Sequence, residues 1–97
     1  QYVIRSNRSL AQQFMLDVAN REEEYLLNNR HYGSLTDLGL TLPGQLTKLY
    51  SITATPKNSD APIGYQITAT PVIGISQSSD GALTLDHLGN RTPLDKW

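Results

Sequence analysis

The sequence predicts an α+β fold in which one long N-terminal helix packs on a small antiparallel β-meander, followed by a C-terminal loop. Three observations predict this fold. Residues 5–29 contain neither Pro nor Gly, the second half carries alternating β-branched patterns, and the helical pattern precedes all of the strand patterns. A chain of 97 residues supports one core. We expect a single domain, residues 1–97, with the helix at about 5–30, an αβ loop at about 33–47, the β-sheet at about 48–86 and the C-terminal loop at 87–97.

Helix-forming residues dominate the first thirty positions. At 100° per residue, seven apolar side chains fall within a sector of about 160°, as expected of a helix that covers a core. These seven are Leu10, Ala11, Phe14, Met15, Val18, Tyr25 and Leu26. The acidic run Glu22-Glu23-Glu24 is interpreted as part of the solvated face. Gly33, which follows the last periodic residue, marks the end of the helix.

The segment between the helix and the first strand is predicted to be a loop. Gly39, Pro43 and Gly44 interrupt any regular pattern there. Several leucines in the same segment are available to pack on the core, and the loop is longer than most connections between elements. Long loops are often functional, so this segment is of interest beyond its role as a connection.

Two near-identical segments predict neighbouring strands. Residues 50–56 and 65–71 both place Tyr, Ile and Ala on one face and polar residues on the other. We expect the first face to cover the helix and the second to meet water. A third strand, at 82–86, follows the turn signal Ser79-Asp80-Gly81. Two adjacent antiparallel strands explain the near-repeat better than a solenoid, which needs at least three copies.

Composition excludes several classes of function. Eight Lys and Arg stand against nine Asp and Glu, and no stretch concentrates positive charge. Since phosphate binding needs clustered cations, no nucleic acid is expected as a partner from the charge. Without cysteine, neither a disulfide nor a thiolate metal site can form. No long apolar run indicates a membrane helix, and the start at Gln1 leads us to expect that an upstream part was removed.

The sequence offers no assembled catalytic or cofactor site, so we expect neither enzyme activity nor a cofactor. His31 and His87 lack the spacing of a zinc site. Asp86 could not orient His87, because adjacent strand residues point to opposite faces. Asp80, Asp86 and Asp95 could converge on a hard cation such as calcium, although the alternating spacing of a calcium loop is absent. No metal is therefore expected, and these three aspartates are the candidate ligands if calcium binds.

Motifs along almost the whole chain follow one order and spacing. The first half has Arg5, Arg8, Leu16-x-x-Ala19-x-Arg21-x-Glu23-x-Tyr25, Asn29-x-x-Tyr32 and Leu38-Gly39. The second half has Gly64-Tyr65-x-Ile67-Thr68-Ala69-Thr70-Pro71, Leu83-Thr84-Leu85-Asp86-x-x-Gly89 and Trp97. In this order they resemble type IV pilins, especially the smaller PilE-like and minor pilins.

This resemblance implies a pilin-like roll that serves as a structural subunit of a type IV pilus in adhesion, motility or DNA uptake. It implies other pilin subunits as partners through the N-terminal helix. It also implies an upstream leader and a hydrophobic half-helix. That half-helix would anchor the subunit in the bacterial inner membrane before assembly into an extracellular pilus, with the domain facing the periplasm or the outside.

The C-terminal region departs from the family pattern. Many relatives close it with a disulfide, with one Cys shortly before the Leu-Thr-Leu strand and another just before the terminal Trp. Here the nearby positions read Asp80-Gly81-Ala82 and Lys96. We expect packing, hydrogen bonds or an ion to hold this region instead, and without an ion the packing would come from Leu88, Leu94 and Trp97.

Two leucines are expected to lie opposite the apolar face of the helix. Leu16 and Leu27 fall at about 160–180° from its centre and three turns apart. Together with Glu23 they form the candidate assembly interface, packing on helices of neighbouring subunits. The alternative is that they are isolated surface leucines, which are common.

Two other functional classes remain open at this stage. One is a type II secretion pseudopilin, which these motifs separate poorly from major and minor pilins. The other is a periplasmic binding module or a small enzyme with a helix-on-sheet fold.

Overall fold

The first helix runs along the length of the molecule. In the computed structural model, which describes residues 2–97, α1 comprises Tyr2–Asn29 and therefore begins earlier than the sequence predicts. It ends where Arg30 takes a left-handed conformation, with φ 63°. None of the helices in the described part of the chain combines the length and the apolar character that crossing a membrane requires.

The segment predicted to be a loop contains two short helices, α2 at Leu35–Leu38 and α3 at Gly44–Thr47. Ser34 and Asp37 form a capping box at the start of α2. Gly39 ends α2 at a φ of 74°, where a side chain would be strained. The sequence therefore specifies α2 through its own capping residues. The loop prediction missed both short helices because each is a single turn.

Four antiparallel strands lie in the order β1-β2-β3-β4, so the predicted meander and the α+β fold class are confirmed. The strands are β1 Tyr50–Lys57, β2 Gly64–Pro71, β3 Leu83–Asp86 and β4 Arg91–Thr92. The near-identical segments are neighbours, with Ile52 opposite Ala69 and Ala54 opposite Ile67. The fourth strand lies in the region predicted to be the C-terminal loop. A two-residue strand has no periodicity from which it could be recognised.

The core lies between α1 and one face of the sheet. Ala11, Met15, Val18, Ile67, Ala69 and Leu83 are each 0% exposed. The face of Tyr, Ile and Ala in β1 and β2 is buried, as predicted. Leu10 is an exception in α1, because at 41% exposure it lies beyond the edge of the buried stripe.

Glu22 corrects the predicted solvated face of α1. Its side chain is 0% exposed, and its Oε1 accepts a hydrogen bond of 2.9 Å from the backbone N of Gly33. Glu22 follows Val18 by four residues and therefore lies on the buried stripe. It joins the C-terminal part of α1 to the chain that leaves the helix.

Candidate functional site

The outward side of α1 carries two of the three residues of the candidate assembly interface, Glu23 and Leu27. Leu27 lies near the end of the helix and is 83% exposed. Glu23, one turn earlier, is exposed and its Oε2 accepts a 3.3 Å hydrogen bond from the Tyr32 hydroxyl. The structure thus places Leu27 and Glu23 on the surface at one end of the molecule.

Leu16 has different surroundings from Leu27. It is half-buried and packs against the core cluster, so it does not lie free on the outward side as the helical projection predicted. One turn earlier, the amide Nε2 of Gln12 donates a 2.6 Å hydrogen bond to the carbonyl of Lys96. The C-terminal segment therefore runs beside this part of α1, where the projection assumed solvent.

An apolar groove of about 440 Å³ lies at the other end of α1. Val3, Ile4, Leu49 and Ile75 supply its apolar walls, and Lys48 is among the polar residues beside them. Val3 is 65% exposed. The groove is therefore open to a side chain from outside.

Gln77 supports the floor of this groove and was not recognised from the sequence. It is 2% exposed, and its Nε2 donates hydrogen bonds of 3.0 Å to the Ile4 carbonyl and 2.9 Å to the Tyr50 hydroxyl. Its Oε1 accepts a 3.1 Å bond from Asn7 Nδ2. These bonds satisfy the buried amide and fix the start of α1 on the sheet. No periodic pattern marks Gln77, because it lies in a short 3-10 turn, Ser76–Asp80.

Three charged side chains fasten the C-terminal segment beside the groove. Asp80 is buried, and its Oδ1 lies 2.7 Å from Arg8 Nη1 and 3.2 Å from Lys96 Nζ. Lys96 Nζ also donates a hydrogen bond to the Asp80 carbonyl. We call Arg8, Asp80 and Lys96 the ionic triad. It joins α1, the 3-10 turn Ser76–Asp80 and the 3-10 turn Leu94–Lys96.

The leucines expected to pack in this region do not do so. Leu88 and Leu94 are 73% and 81% exposed, and only Trp97 of the three packs against the core. The indole Nε1 of Trp97 donates a 3.0 Å hydrogen bond to the Thr92 carbonyl. Polar contacts, and not leucine packing, hold the C-terminal segment.

The three candidate calcium ligands have separate roles. Asp80 belongs to the ionic triad. Asp86 accepts hydrogen bonds from the backbone N of Leu88 and from the backbone and side chain of Asn90. Partial burial opposes its ionisation, but these bonds outweigh that effect and lower the pKa of Asp86. Asp95 is exposed, and residues 2–97 contain no group of three acidic or histidine side chains placed to hold a metal ion.

The two histidines do not form a catalytic arrangement. His31 is exposed, and its Nδ1 lies 3.0 Å from the Tyr32 carbonyl. His87 is half-buried with its ring edge-on to Tyr65 at 6.2 Å between centroids. Burial, with smaller contributions from Glu23 and Tyr32, raises the pKa of Tyr65. No nucleophile and base are brought together by these residues.

Charge is segregated between the two ends of the molecule. The groove end holds four of the eight cations, Arg5, Arg8, Lys48 and Lys96, with two aspartates, Asp80 and Asp95. Of the remaining seven acids, six lie at the end of α1 where the helix stops: Glu22, Glu23, Glu24, Asp37, Asp60 and Asp86. Three cations lie there as well, and Arg21 among them pairs with Glu24 at 3.5 Å. The basic and acidic residues are interleaved in sequence, so the fold creates this asymmetry.

Two comparisons with known proteins, one by family model and one by structure, give consistent results. A family model described as "Type IV minor pilin ComP, DNA uptake sequence receptor" matches residues 1–84. The chain is similar to the solved structure of a type IV pilin from Shewanella oneidensis, with 27% identity and a TM-score of 0.70. That similarity covers 94% of this chain and 92% of the other. No curated protein is significantly similar in sequence.

Proposed function

The chain belongs to the ComP family of type IV minor pilins and is therefore a type IV pilus subunit, and we propose that it joins its neighbours through the outward side of α1. The family resemblance read from the sequence is confirmed. Other pilin subunits are its partners and the extracellular pilus is its location. The family and the fold are structural and not enzymatic.

Leu27 is the observation that carries this proposal. It is 83% exposed although it lies on the main helix of the domain, so it contributes little to the fold of the isolated chain. An apolar side chain in this position loses water contact when a neighbouring helix packs on it. The contact recurs at every subunit of a helical array, so a modest loss per interface strongly weakens the filament.

Leu27→Glu in the full-length subunit tests this proposal. Because Leu27 is exposed, we expect the melting temperature of the domain to stay nearly constant while the number of surface pili falls at least tenfold. Leu88→Glu is the matched control, since Leu88 is also largely exposed but lies in the C-terminal segment. Normal piliation with Leu27→Glu, counted by electron microscopy, would contradict the proposal.

Leu16→Glu separates assembly from folding. Leu16 is half-buried against the core, so a carboxylate there should lower the melting temperature as well as piliation. If Leu16→Glu left stability unchanged and abolished pili, Leu16 would belong to the interface together with Leu27.

We also propose that a hydrophobic half-helix upstream of Gln1 anchors the subunit in the inner membrane before assembly. Its support is the resemblance of the chain to pilins built in this way. Cell fractionation of the full-length protein in a strain that cannot assemble pili tests it. Recovery in the periplasmic fraction, without membrane association, would contradict it.

DNA binding at the groove end is a second candidate function. The matching family is described as a DNA uptake sequence receptor, and the four cations at that end favour an anionic partner. Arg5 and Lys48 are exposed at this end. We expected no nucleic acid as a partner because the sequence contains no basic run. A phosphate backbone contacts cations that are close together on the folded surface, whether or not they are close in sequence.

The salt dependence of DNA binding tests this second function. With Arg5→Ala/Lys48→Ala, the slope of log affinity against log salt should become less steep by about two, since each phosphate contact contributes about 0.9. Arg30→Ala/Lys57→Ala removes the same charge from the acidic end and should leave the slope unchanged. Fluorescence anisotropy with duplex DNA measures both, and equal losses in the two variants would contradict a site at the groove end.

A further inference from the structure

The groove and Leu27 lie too far apart to meet within one chain. Val3 and Leu27 are separated by 24 positions of one continuous helix, which corresponds to about 36 Å. The whole domain is 41 Å along its longest axis. The open groove and the exposed leucine therefore lie at opposite ends.

We propose that the groove formed by Val3, Ile4, Leu49 and Ile75 receives Leu27 from a second copy of this chain. This inference rests on the proposed assembly through α1 and adds the surface of the neighbouring copy to which the end of α1 binds. The groove is apolar and open, and it lies beside the start of α1. A single leucine side chain is small enough to enter a groove of this size.

Charge complementarity identifies the second copy as the occupant. Lys48 lines the groove, is exposed and forms no ion pair within residues 2–97. Leu27 is flanked on the helix surface by Glu24 and Glu23, three and four positions earlier. Insertion of Leu27 would therefore bring acidic side chains towards Lys48, whereas two grooves placed face to face would bring like charges together.

The contact has a definite symmetry. One copy contributes the groove and the other contributes the helix end, so the interface is heterologous, and the pair keeps one free helix end on the first copy and one free groove on the second. Such an interface adds further copies in the same direction and does not close as a dimer. This is the geometry of a filament.

Engineered cysteines test the contact directly, because residues 1–97 contain none. Val3→Cys/Leu27→Cys in the full-length subunit should give, after oxidation of intact pili with copper phenanthroline, a ladder of disulfide-linked multimers on a non-reducing gel. Each single variant should stay monomeric, since it lacks the complementary thiol. Leu27→Cys/Leu88→Cys is the matched control and should give no ladder.

The outcomes separate this inference from the proposed function. Normal filaments without a Val3–Leu27 ladder, or with an equal ladder from the Leu88 control, would overturn the groove as the receiving surface. The Leu27→Glu experiment tests assembly through α1 by itself, so its result does not depend on whether the groove is the receiving surface.

A charge reversal gives a second measurement that needs no thiol. Lys48→Glu should reduce the number of pili about tenfold, and adding Glu23→Lys should restore most of them. If the double variant is as defective as Lys48→Glu alone, the proposed orientation of the helix end in the groove is wrong.

Discussion

At the scale of single residues, one buried carboxylate connects the fold to pH. Glu22 accepts one hydrogen bond through Oε1, while its Oε2 is buried without a partner in the described structure. Burial raises its pKa above the ordinary 4.5, the Gly33 bond opposes this, and the charges of Glu23 and Asp37 raise it further. The folded state therefore binds the proton of Glu22 more tightly than the unfolded state does.

Glu22→Gln should make stability less dependent on pH. The contribution of Glu22 is fully present below its unfolded pKa and is lost as pH rises through the raised folded pKa, where the buried group must ionise. Gln remains neutral and can keep the bond from Gly33. Chemical denaturation from pH 4 to 8 should show a smaller decline for Glu22→Gln than for the natural chain. The exposed Glu24→Gln is the control, and an equal change in both variants would exclude this role for Glu22.

Gly64 is required because a histidine ring packs against its backbone. A Cβ added there would lie 2.5 Å from two atoms of the His87 ring. We expect Gly64→Ala to cost about 1–3 kcal/mol of unfolding free energy, the usual range for overpacking. Gly44→Ala, where the added Cβ meets nothing within 4 Å, should cost much less. Recovery in Gly64→Ala/His87→Ala would identify the ring as the cause, and a neutral Gly64→Ala would contradict the expected close contact.

Sequence patterns identify some residues of the site and not others. Ala11, Met15 and Val18 follow the helical period, so their burial was predicted correctly. Glu22 continues the same helical period, so its position in the sequence indicates burial. Its charged side chain led instead to the prediction that it lies on the solvated face. The buried, hydrogen-bonded position of Gln77 was not predictable, since it depends on three partners that are distant in sequence.

At the scale of elements, the ionic triad fixes the C-terminal segment. Asp80 is shared by Arg8 from α1 and Lys96 from the last turn. Removing one member of a buried ionic group leaves the remaining charges without an opposite charge beside them. The resulting loss of stability is larger than the net contribution of the whole group to stability. The triad occupies the region where the sequence led us to expect packing or an ion.

Asp80→Ala should therefore destabilise the domain by about 3–5 kcal/mol. The loss should be accompanied by faster amide exchange in residues 91–97, because both the segment and its partner on α1 are released. Asp95→Ala, at an exposed position nearby, should change stability by less than about 0.5 kcal/mol. Unchanged exchange in residues 91–97 of Asp80→Ala would mean that other contacts hold the segment.

The long elements were predictable, whereas the C-terminal pairing was not. α1, β1 and β2 each repeat a period over at least eight residues, which gives a clear signal. β4 has two residues, and its place at the sheet edge follows from pairing with β3. The partners of the triad lie 16 and 72 positions apart, and only the tertiary fold selects them.

At the scale of the whole molecule, opposite charge at the two ends makes the domain strongly polar although its net charge is −1. Salt screens such long-range attraction, with a Debye length of about 10 Å at 0.1 M and 3 Å at 1 M. The isolated domain should attract its own copies in dilute buffer. Light scattering should therefore give a negative second virial coefficient at about 10 mM salt that rises with salt.

Lys48→Glu should weaken this attraction, and Lys57→Glu is the matched control because Lys57 lies at the acidic end. A virial coefficient independent of salt would contradict the importance of charge segregation. Net charge, read from the sequence, could not predict this behaviour, since it depends on where the fold places each side chain.

The fastening of the C-terminal segment by the ionic triad has a mechanical consequence. No disulfide links the chain near residue 80 to residues 96–97, so the fold of residues 81–96 resists a pulling force between α1 and residue 97 through non-covalent contacts alone. Once Lys96 separates from Asp80 and β4 detaches from β3, residues 87–96 can extend by up to roughly 3.3–3.6 Å each, or about 35 Å of chain, while β3 stays paired with β2. A cross-link at these positions would keep that length folded. Tension applied through this segment would instead be taken up by reversible lengthening of the subunit, which can fold back when the load is removed.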